Sequence, residues 1–311
     1  MEIYVGIDVS KKSFDVHITG LKKDKSFDYT RAKVKECIKW LASLKPVLVL
    51  MEATGGYEQT LVAELFAASL PVKVMNPRRI RDFAKAKGQM AKTDKIDARI
   101  IADFAQTFQP PPQEEIDEIS QKIKSLVSRR RQLVAMRVQE LNRKEHAFDT
   151  DIAKSIDKLI KTFDQEIAKI ESQISNHIDN SPKLKQKTDL LTTMKGIGKT
   201  TAMCITAELP EIGLLNNRQI ASLIGVAPLN RDSGAFRGRR MTGGGRREVR
   251  TQLYMPTLVA IQHNPVIRAY YQHLLKNGKN KMVAVVACMR KLIITLNAMV
   301  AKNQPWIDNY A

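Results

Sequence analysis

Ile3, Val5 and Ile7 alternate with Tyr4, Gly6 and Asp8 at the start of the chain, a period of two that predicts a β-strand. Residues 13–19 predict a second strand, and the charged stretch 22–25 predicts a turn into a third. Residues 34–44 have the spacing of a short amphipathic helix, whereas 46–51 form an unbroken apolar run, as in a strand covered on both faces. A helix over 60–70 and a buried strand over 71–75 follow. Three leading strands, then helix–strand–helix–strand, predict a mixed α/β sheet. A further helix is expected over 93–108.

Pro110, Pro111 and Pro112 punctuate the chain, and the pattern then changes. Ile116, Ile119, Ile123, Leu126, Leu133 and Leu141 largely follow three-four spacing, and Ile152, Ile156, Leu159, Phe163, Ile167, Ile170 and Ile174 repeat it. Two long helices are expected, paired as an antiparallel hairpin or coiled coil that stops at Ser181-Pro182. From about 184 onward, helical patterns are broken by glycine-rich loops, as in a small all-α domain. The expected organisation is therefore an α/β domain over 1–112, a coiled-coil region over 113–183 and a helical domain over 184–311.

Charge narrows the function. Lys and Arg number 51 against 32 Asp and Glu in 311 residues, a net charge of +19. Such an excess points to a polyanion, nucleic acid first and an acidic membrane surface second. With 43% hydrophobic and 27% charged residues, disordered and collagen-like chains are excluded. Aromatic residues, at 6%, are too sparse for base-stacking sheets to be the main recognition device. Cys37, Cys204 and Cys288 lie far apart without a C-x-x-C pair, so neither a disulfide framework nor a zinc site is expected. The first residues carry no leader pattern, and the apolar stretch 282–288 is soon broken by Arg290 and Lys291. The expectation is a cytoplasmic protein with no membrane span.

Four carboxylates stand out. Asp8 ends the first strand on the face opposite Ile3, Val5 and Ile7, and Glu52 ends the buried strand before Ala-Thr-Gly-Gly56. Ligand sites of α/β sheets lie off strand ends, so these two can share a pocket. Asp94 and Asp97 are three apart on a predicted helix, hence on one face. Four converging carboxylates repel unless cations neutralise them, and hard oxygen donors suit Mg²⁺ or Mn²⁺. Two such ions about 3.5–4 Å apart clamp both oxygens of a phosphodiester exchange. Taken singly, each acid also reads as a strand-end turn residue or a solvated helix charge.

Residues 225–247 form the most unusual stretch. Arg231, Arg237, Arg239, Arg240, Arg246 and Arg247 crowd a glycine-rich segment with Ser233 near its centre. Glycine lets backbone approach a ligand, and guanidinium binds phosphate bidentately. Ser233 reads either as a turn serine in a phosphate-binding loop or as a nucleophile activated by cations around the phosphate. Lys195-Gly196-Ile-Gly198-Lys199 is not a P-loop, because Thr193 stands where that motif needs glycine. It reads as a tight turn opening a helix, either structural or aimed at a nucleic-acid phosphate. Arg129, Arg130 and Arg131 sit on the first long helix and read by default as a solvated coiled-coil face. The lack of any acid between Ile119 and Gln139 tilts the reading towards RNA or DNA backbone contact. His17, His146, His177, His263 and His273 show no ligand spacing.

Gly6-Ile-Asp-Val-Ser10, Met51-Glu-Ala-Thr-Gly-Gly-Tyr57, Asn76-Pro77, Lys92-Thr-Asp-Lys-Ile-Asp-Ala98, Glu140-Leu-Asn-Arg143, Gly196-Ile-Gly198, Gly225-Val-Ala-Pro228, Ser233-Gly234 and Tyr254-Met-Pro256 occur in that order. In this the chain resembles the insertion-sequence transposases of the DEDD type, the serine-assisted, bridge-RNA-guided recombinases. The resemblance implies a RuvC-like, RNase H-type domain, a coiled-coil insertion and a C-terminal transposase domain. It implies that Asp8, Glu52, Asp94 and Asp97 hold Mg²⁺ or Mn²⁺ and that Ser233 attacks DNA to give a covalent phosphoserine. Strand exchange through a Holliday junction would follow. It further implies donor and target DNA and a structured noncoding guide RNA as partners, dimers assembling into tetramers, and a bacterial, nucleoid-associated setting. Base pairing would then carry sequence specificity, leaving the protein to read backbone shape and charge. The residues leave rivals open: a RuvC-like junction nuclease that uses water, an actin-like kinase, and a non-enzymatic RNA-binding protein.

Overall fold

The computed structural model describes residues 2–21, 23–89, 94–113, 117–230, 232–233, 236–238 and 240–307, with the backbone alone at Lys23, Asp94, Lys95, Asp232, Ser233, Phe236 and Arg237. The chain divides into two compact units, Met1–Ile116 and Asp117–Ala311.

In the first unit, β1 (Tyr4–Val9), β2 (Ser13–Ile18) and β3 (Lys23–Asp28) form an antiparallel meander. Helix α1 (Arg31–Leu44) then leads to β4 (Leu48–Glu52), and α2 (Glu58–Ala67) leads to β5 (Val72–Met75). Both returning strands run parallel to β1, so the sheet order is β3-β2-β1-β4-β5. Helix α3 (Pro77–Ala86) and helix α4 (Asp94–Phe108) complete the unit. Alternation sorts the strand residues between two cores. Val5, Ile7, Val9, Phe14, Val16, Val49 and Met51 pack with α1 and α2 on one side. Tyr4, Leu48, Leu50 and Met75 pack with Ile80 of α3 and Ile100, Ile101 and Phe104 of α4 on the other. This is a mixed α/β sheet covered on both faces, as the order of strand and helix patterns predicts. Helix α3 lies where no helix was expected: Asn76 caps it and Pro77 opens it, while its charged sequence buries only Ile80.

The second unit opens with α5 (Glu118–Glu145) and α6 (Thr150–Asp179), capped by Asp117 and Asp149. Ile123, Val127 and Leu133 of α5 share a buried core with Ile170, Ile174 and Ile178 of α6, and Ile156 and Ile160 of α6 are buried nearer the turn of the hairpin. Arg130–Glu171 (2.6 Å), Arg137–Asp164 (2.5 Å) and Lys144–Asp157 (2.7 Å) tie the pair together. Each step of seven forward on α5 matches seven back on α6, which makes this an antiparallel heptad hairpin. Its base shares a core with Met203 and Cys204, so it packs into the helices that follow.

Those helices are α7 (Pro182–Thr192), α8 (Lys199–Glu208), α9 (Asn217–Leu223), α10 (Arg247–His263), α11 (Pro265–Lys276) and α12 (Lys281–Lys302). Between α9 and α10 lie four two-residue strands, β6 (Pro228–Leu229), β7 (Asp232–Ser233), β8 (Phe236–Arg237) and β9 (Met241–Thr242), where glycine-rich loops of an all-α domain were expected. Helix α12 continues well past Arg290 and Lys291, and by length and composition it would suit a membrane span, contrary to expectation. Here it is a core helix: Val285, Cys288, Leu292, Ile293 and Leu296 are buried in a core that α12 shares with α7, α9, α10 and α11. Its buried Asn297 accepts from Gly213 N at 2.8 Å and donates to Leu215 O at 2.7 Å.

Candidate active site

The register of the sheet sets the acidic half of the site. Gly6 pairs with Leu50 and Ile7 with Met51 between the parallel strands β1 and β4, so the next residues, Asp8 and Glu52, stand side by side. Adjacent strands lie about 4.8 Å apart. Both acids are half-buried at the carboxyl ends of their strands.

Gly6 fixes what covers them. A Cβ at Gly6 would fall on Ala98 O and Ala102 N, so the backbone of α4 lies directly on β1 at a position only glycine permits. Tyr4, at the start of β1, shares a core with Phe104 and Ala105 from the later turns of α4. Helix α4 therefore runs antiparallel to β1, and its first turn, with Asp94 and Asp97, points toward the Asp8 end. Asp97 is half-buried there; the side chain of Asp94 lies outside the described residues. Asp8, Glu52 and Asp97 each engage in interactions of their own.

Two supports flank the row. After Glu52, the Ala-Thr-Gly-Gly turn wraps the Glu58 carboxylate, which accepts from Thr54 N (3.1 Å), Thr54 Oγ1 (2.7 Å) and Gly56 N (2.9 Å). Burial pushes that carboxyl up, but these donors outweigh it and hold it below the usual range. On the other flank, buried His17 meets Asp24, whose second oxygen meets Arg99 Nη2 of α4 at 3.4 Å. The hydrogen bond from His17 holds the Asp24 carboxyl below its usual range, against burial and with help from Arg99.

The sequence analysis did not single out Asp15. It is buried on β2, directly across from Asp8. The alternation of Ser13, Asp15 and His17 with Phe14, Val16 and Ile18 carried the signal, but only the hairpin register reveals the partner.

The donor set has the chemistry of a hard-cation site: carboxylate oxygens, adjacent in register, under one helix end. Among the described residues, no group of three or more His, Cys, Asp or Glu side chains is gathered closely enough to hold a metal alone.

Ser233 stands on a separate scaffold. Asp232 pairs with Arg237 and Ser233 with Phe236, a tight hairpin whose turn lies outside the described residues, as do Arg231 and Arg239. Pro228 and Leu229 pair with Thr242 and Met241 outside it. The ribbon's two roots close on each other: a Cβ on Gly225 would strike Gly244 O, and one on Gly245 would strike Gly225 N and Leu223 O. Arg250 Nη1 donates across both roots, to Ile224 O (3.2 Å), Gly225 O (3.5 Å) and Gly244 O (2.6 Å).

The expected nucleic-acid residues divide by what they touch. Arg246 is taken up structurally: its guanidinium grips both Glu211 oxygens at 2.7 and 2.5 Å and reaches Glu208 O at 2.8 Å. Arg130 and Arg131 also have carboxylate partners, Glu171 at 2.6 Å and Glu208 at 2.7 Å. Burial raises the Glu208 carboxyl despite Arg131. Charge counted along α5 alone could not reveal these partners, because they come from α6 and α8. Gly196 packs against Ala260 of α10, whereas Gly198 opens α8 with free space beside it. Arg129, Lys199, Arg240 and Arg247 are exposed; Arg129 meets the Gln132 side chain and Lys199 lies 4.0 Å from Asp179.

Comparison with known proteins bears on this arrangement. Residues 5–150 match a transposase domain of the DEDD, IS110 type, and residues 188–272 match the transposase IS116/IS110/IS902 family. The chain is 26% identical over 313 residues to a pilin gene-inverting protein of Moraxella bovis and 27% identical over 315 residues to one of Moraxella lacunata, covering 97% of both chains in each case. An uncharacterized 43.6 kDa protein of insertion element IS110 from Streptomyces coelicolor is 26% identical over 132 residues, 42% of this chain and 32% of its own length. The acid-bearing sheet lies within the first match and the serine-bearing ribbon within the second, and with both transposase domains of the IS110 type the chain is a transposase-class enzyme that cleaves and transfers DNA strands.

Proposed function

We propose that this enzyme is an RNA-guided DNA recombinase in which Ser233 is the nucleophile and Asp8, Glu52, Asp94 and Asp97 hold Mg²⁺ or Mn²⁺. The observation that carries the reading is the register of Asp8 beside Glu52 under the α4 end that bears Asp97. Bound divalent cations would offset the negative charge of the phosphodiester and of the departing oxygen. Ser233 Oγ forms a bond to phosphorus as the bond to the leaving strand oxygen breaks, and the serine proton ends on that oxygen. The resulting phosphoserine keeps the energy of the diester, so rejoining needs no ATP. Attack by the hydroxyl of another strand reverses the step and restores the serine.

Inversion of a gene, for which the two Moraxella relatives are named, requires cut strands to be rejoined. Attack by water would leave them cut, so this favours the serine over the junction-nuclease reading. Donor and target DNA are the substrates, and a structured noncoding RNA pairs with both. Arg129, Lys199, Arg231, Arg237, Arg239, Arg240 and Arg247 contact backbone phosphates, while Arg130, Arg131 and Arg246 shape the protein that presents them. Gly198 leaves room for a phosphate at the α8 end, and Gly196 sets the turn. The enzyme works as a dimer that assembles into a tetramer, in the bacterial cytoplasm on the nucleoid. The domain plan is the acid-bearing domain over 1–112, the coiled coil over 113–183 and the serine-bearing domain over 184–311.

The test is a denaturing gel of protein incubated with guide RNA and DNA. A protein–DNA adduct in the wild type, absent from Ser233→Ala, is the expected result. Clean nicking by Ser233→Ala overturns the serine mechanism in favour of water.

A further inference from the structure

Helix α3 carries Arg78, Arg79, Arg81 and Lys85 against one acid, Asp82, and buries only Ile80. Like charges four residues apart repel on a helix surface, so this composition weakens the helix it builds. The cations divide by what they touch. Arg79 lies over the Phe104 ring of α4 at 5.8 Å and donates to Met75 Sδ at 3.8 Å, and Lys87, just past the helix, pairs with Asp103. Arg78 has Asp82 at 3.8 Å with both side chains largely exposed, a pair worth little. Arg81 and Lys85 are exposed and have no hydrogen bond or ion pair with any described residue.

Spaced i, i+3 and i+7, Arg78, Arg81 and Lys85 form one row on the face turned away from Ile80, and hence from α4. The row is about 10 Å long, an axial length over which one strand of DNA presents about three phosphates. Its place in the fold is beside the acids. Met75 pairs in register with Glu52, and its carbonyl accepts from Ala53 N at 3.0 Å. Helix α3 starts two residues later, at Pro77, so it leaves the sheet at the carboxyl edge, one strand over from Glu52 and two from Asp8.

We infer that the outer face of α3 is a DNA-backbone surface, on which Arg78, Arg81 and Lys85 hold the strand whose phosphodiester lies at the acids. This rests on the reading that Asp8 and Glu52 engage that phosphodiester. Cations with little or no internal pairing complement a polyanion, and the strand exchanged beside them is DNA. Helix α1 is also basic, with Lys35 and Lys39 exposed, but it packs on the opposite face of the sheet and supplies a control.

The test is the salt dependence with which the full-length protein binds a labelled, random-sequence DNA duplex, read by fluorescence anisotropy. Arg78→Gln/Arg81→Gln/Lys85→Gln should reduce the slope of log K against log salt by about 2.7, near 0.9 for each phosphate given up. Arg81→Gln alone should reduce it by about 0.9, and it serves if melting curves show that the triple variant does not fold. Lys35→Gln/Lys39→Gln should leave the slope as it is in the wild type. An unchanged slope in the α3 variants, or an equal loss per charge in the α1 variant, overturns the surface. A photo-crosslinker attached to Arg81→Cys identifies the strand, since Cys37, Cys204 and Cys288 are buried. With guide RNA and DNA both present, crosslinks to DNA are expected, and crosslinks to RNA alone overturn the assignment in favour of an RNA surface. Asp8→Asn should keep the full slope and lose strand transfer. Strand transfer retained in Asp8→Asn defeats the acid-site reading, whereas the slopes of the α3 variants decide separately whether α3 binds DNA.

Discussion

The acids and the serine are held in opposite ways. Asp8 and Glu52 sit on central strands of a five-stranded sheet with packed helices on both faces. Ser233 sits on a strand two residues long, within a ribbon whose outer pair exposes Leu229 and Met241. The described strand side chains of the ribbon, Pro228, Leu229, Met241 and Thr242, are all exposed, and at its roots glycine backbones touch and Arg250 bridges them. A rigid sheet fixes carboxylate spacing, while a thin arm on a firm root leaves the position of its serine adjustable.

The sharpest way to break the comparison is at Gly6. Gly6→Ala should lever α4 off β1, costing about 3 kcal/mol from overpacking and abolishing strand transfer. Melting curves and a recombination assay read both, and an active Gly6→Ala enzyme would mean that α4 need not lie on the strand.

Arg250→Gln should act on the other side of the comparison. Loss of charged hydrogen bonds to root carbonyls is expected to cost about 2 kcal/mol, with strand transfer falling while Mn²⁺ binding holds. If Mn²⁺ binding falls in step, the two scaffolds are not independent.

The smallest effect is on pH. Burial raises the Glu211 carboxyl, but Arg246 outweighs it and holds it below the ordinary value of 4.5. A depressed carboxyl contributes stability that is fully present above its unfolded pKa and lost as pH falls through the folded one. Melting temperature should therefore drop as pH is lowered below about 4.5 in the wild type, and Glu211→Gln should show a shallower acid limb from a lower starting point. Equal acid limbs would show that Arg246 does not anchor the root through charge.

What the sequence disclosed follows the same division. β1, β4 and β5 were legible because alternation and unbroken apolar runs report burial directly. The helical hairpin was legible for the same reason. Helix α3 was not, since Arg78, Arg79, Arg81 and Asp82 mask a helix that buries one residue. Asp8 and Glu52 were found from their places at strand ends, but Asp15 needed the β1–β2 register, which one residue of slip would reverse. Arg131 and Arg246 looked like free cations because Glu208 and Glu211 lie far from them in sequence. Two-residue strands have too few positions for any period to register.

The ion-pair ladder of the helical hairpin also constrains how this part of the chain can change in length. Arg130, Arg137 and Lys144 meet Glu171, Asp164 and Asp157 at matched heptad steps. A whole heptad added to or removed from both arms preserves every rung and the facing of the tip. An insertion of three or four residues in one arm breaks the phase and turns the tip away from its seam. Length variation among homologous hairpins should therefore come in paired, seven-residue quanta, like pleats let out equally on both sides of a seam.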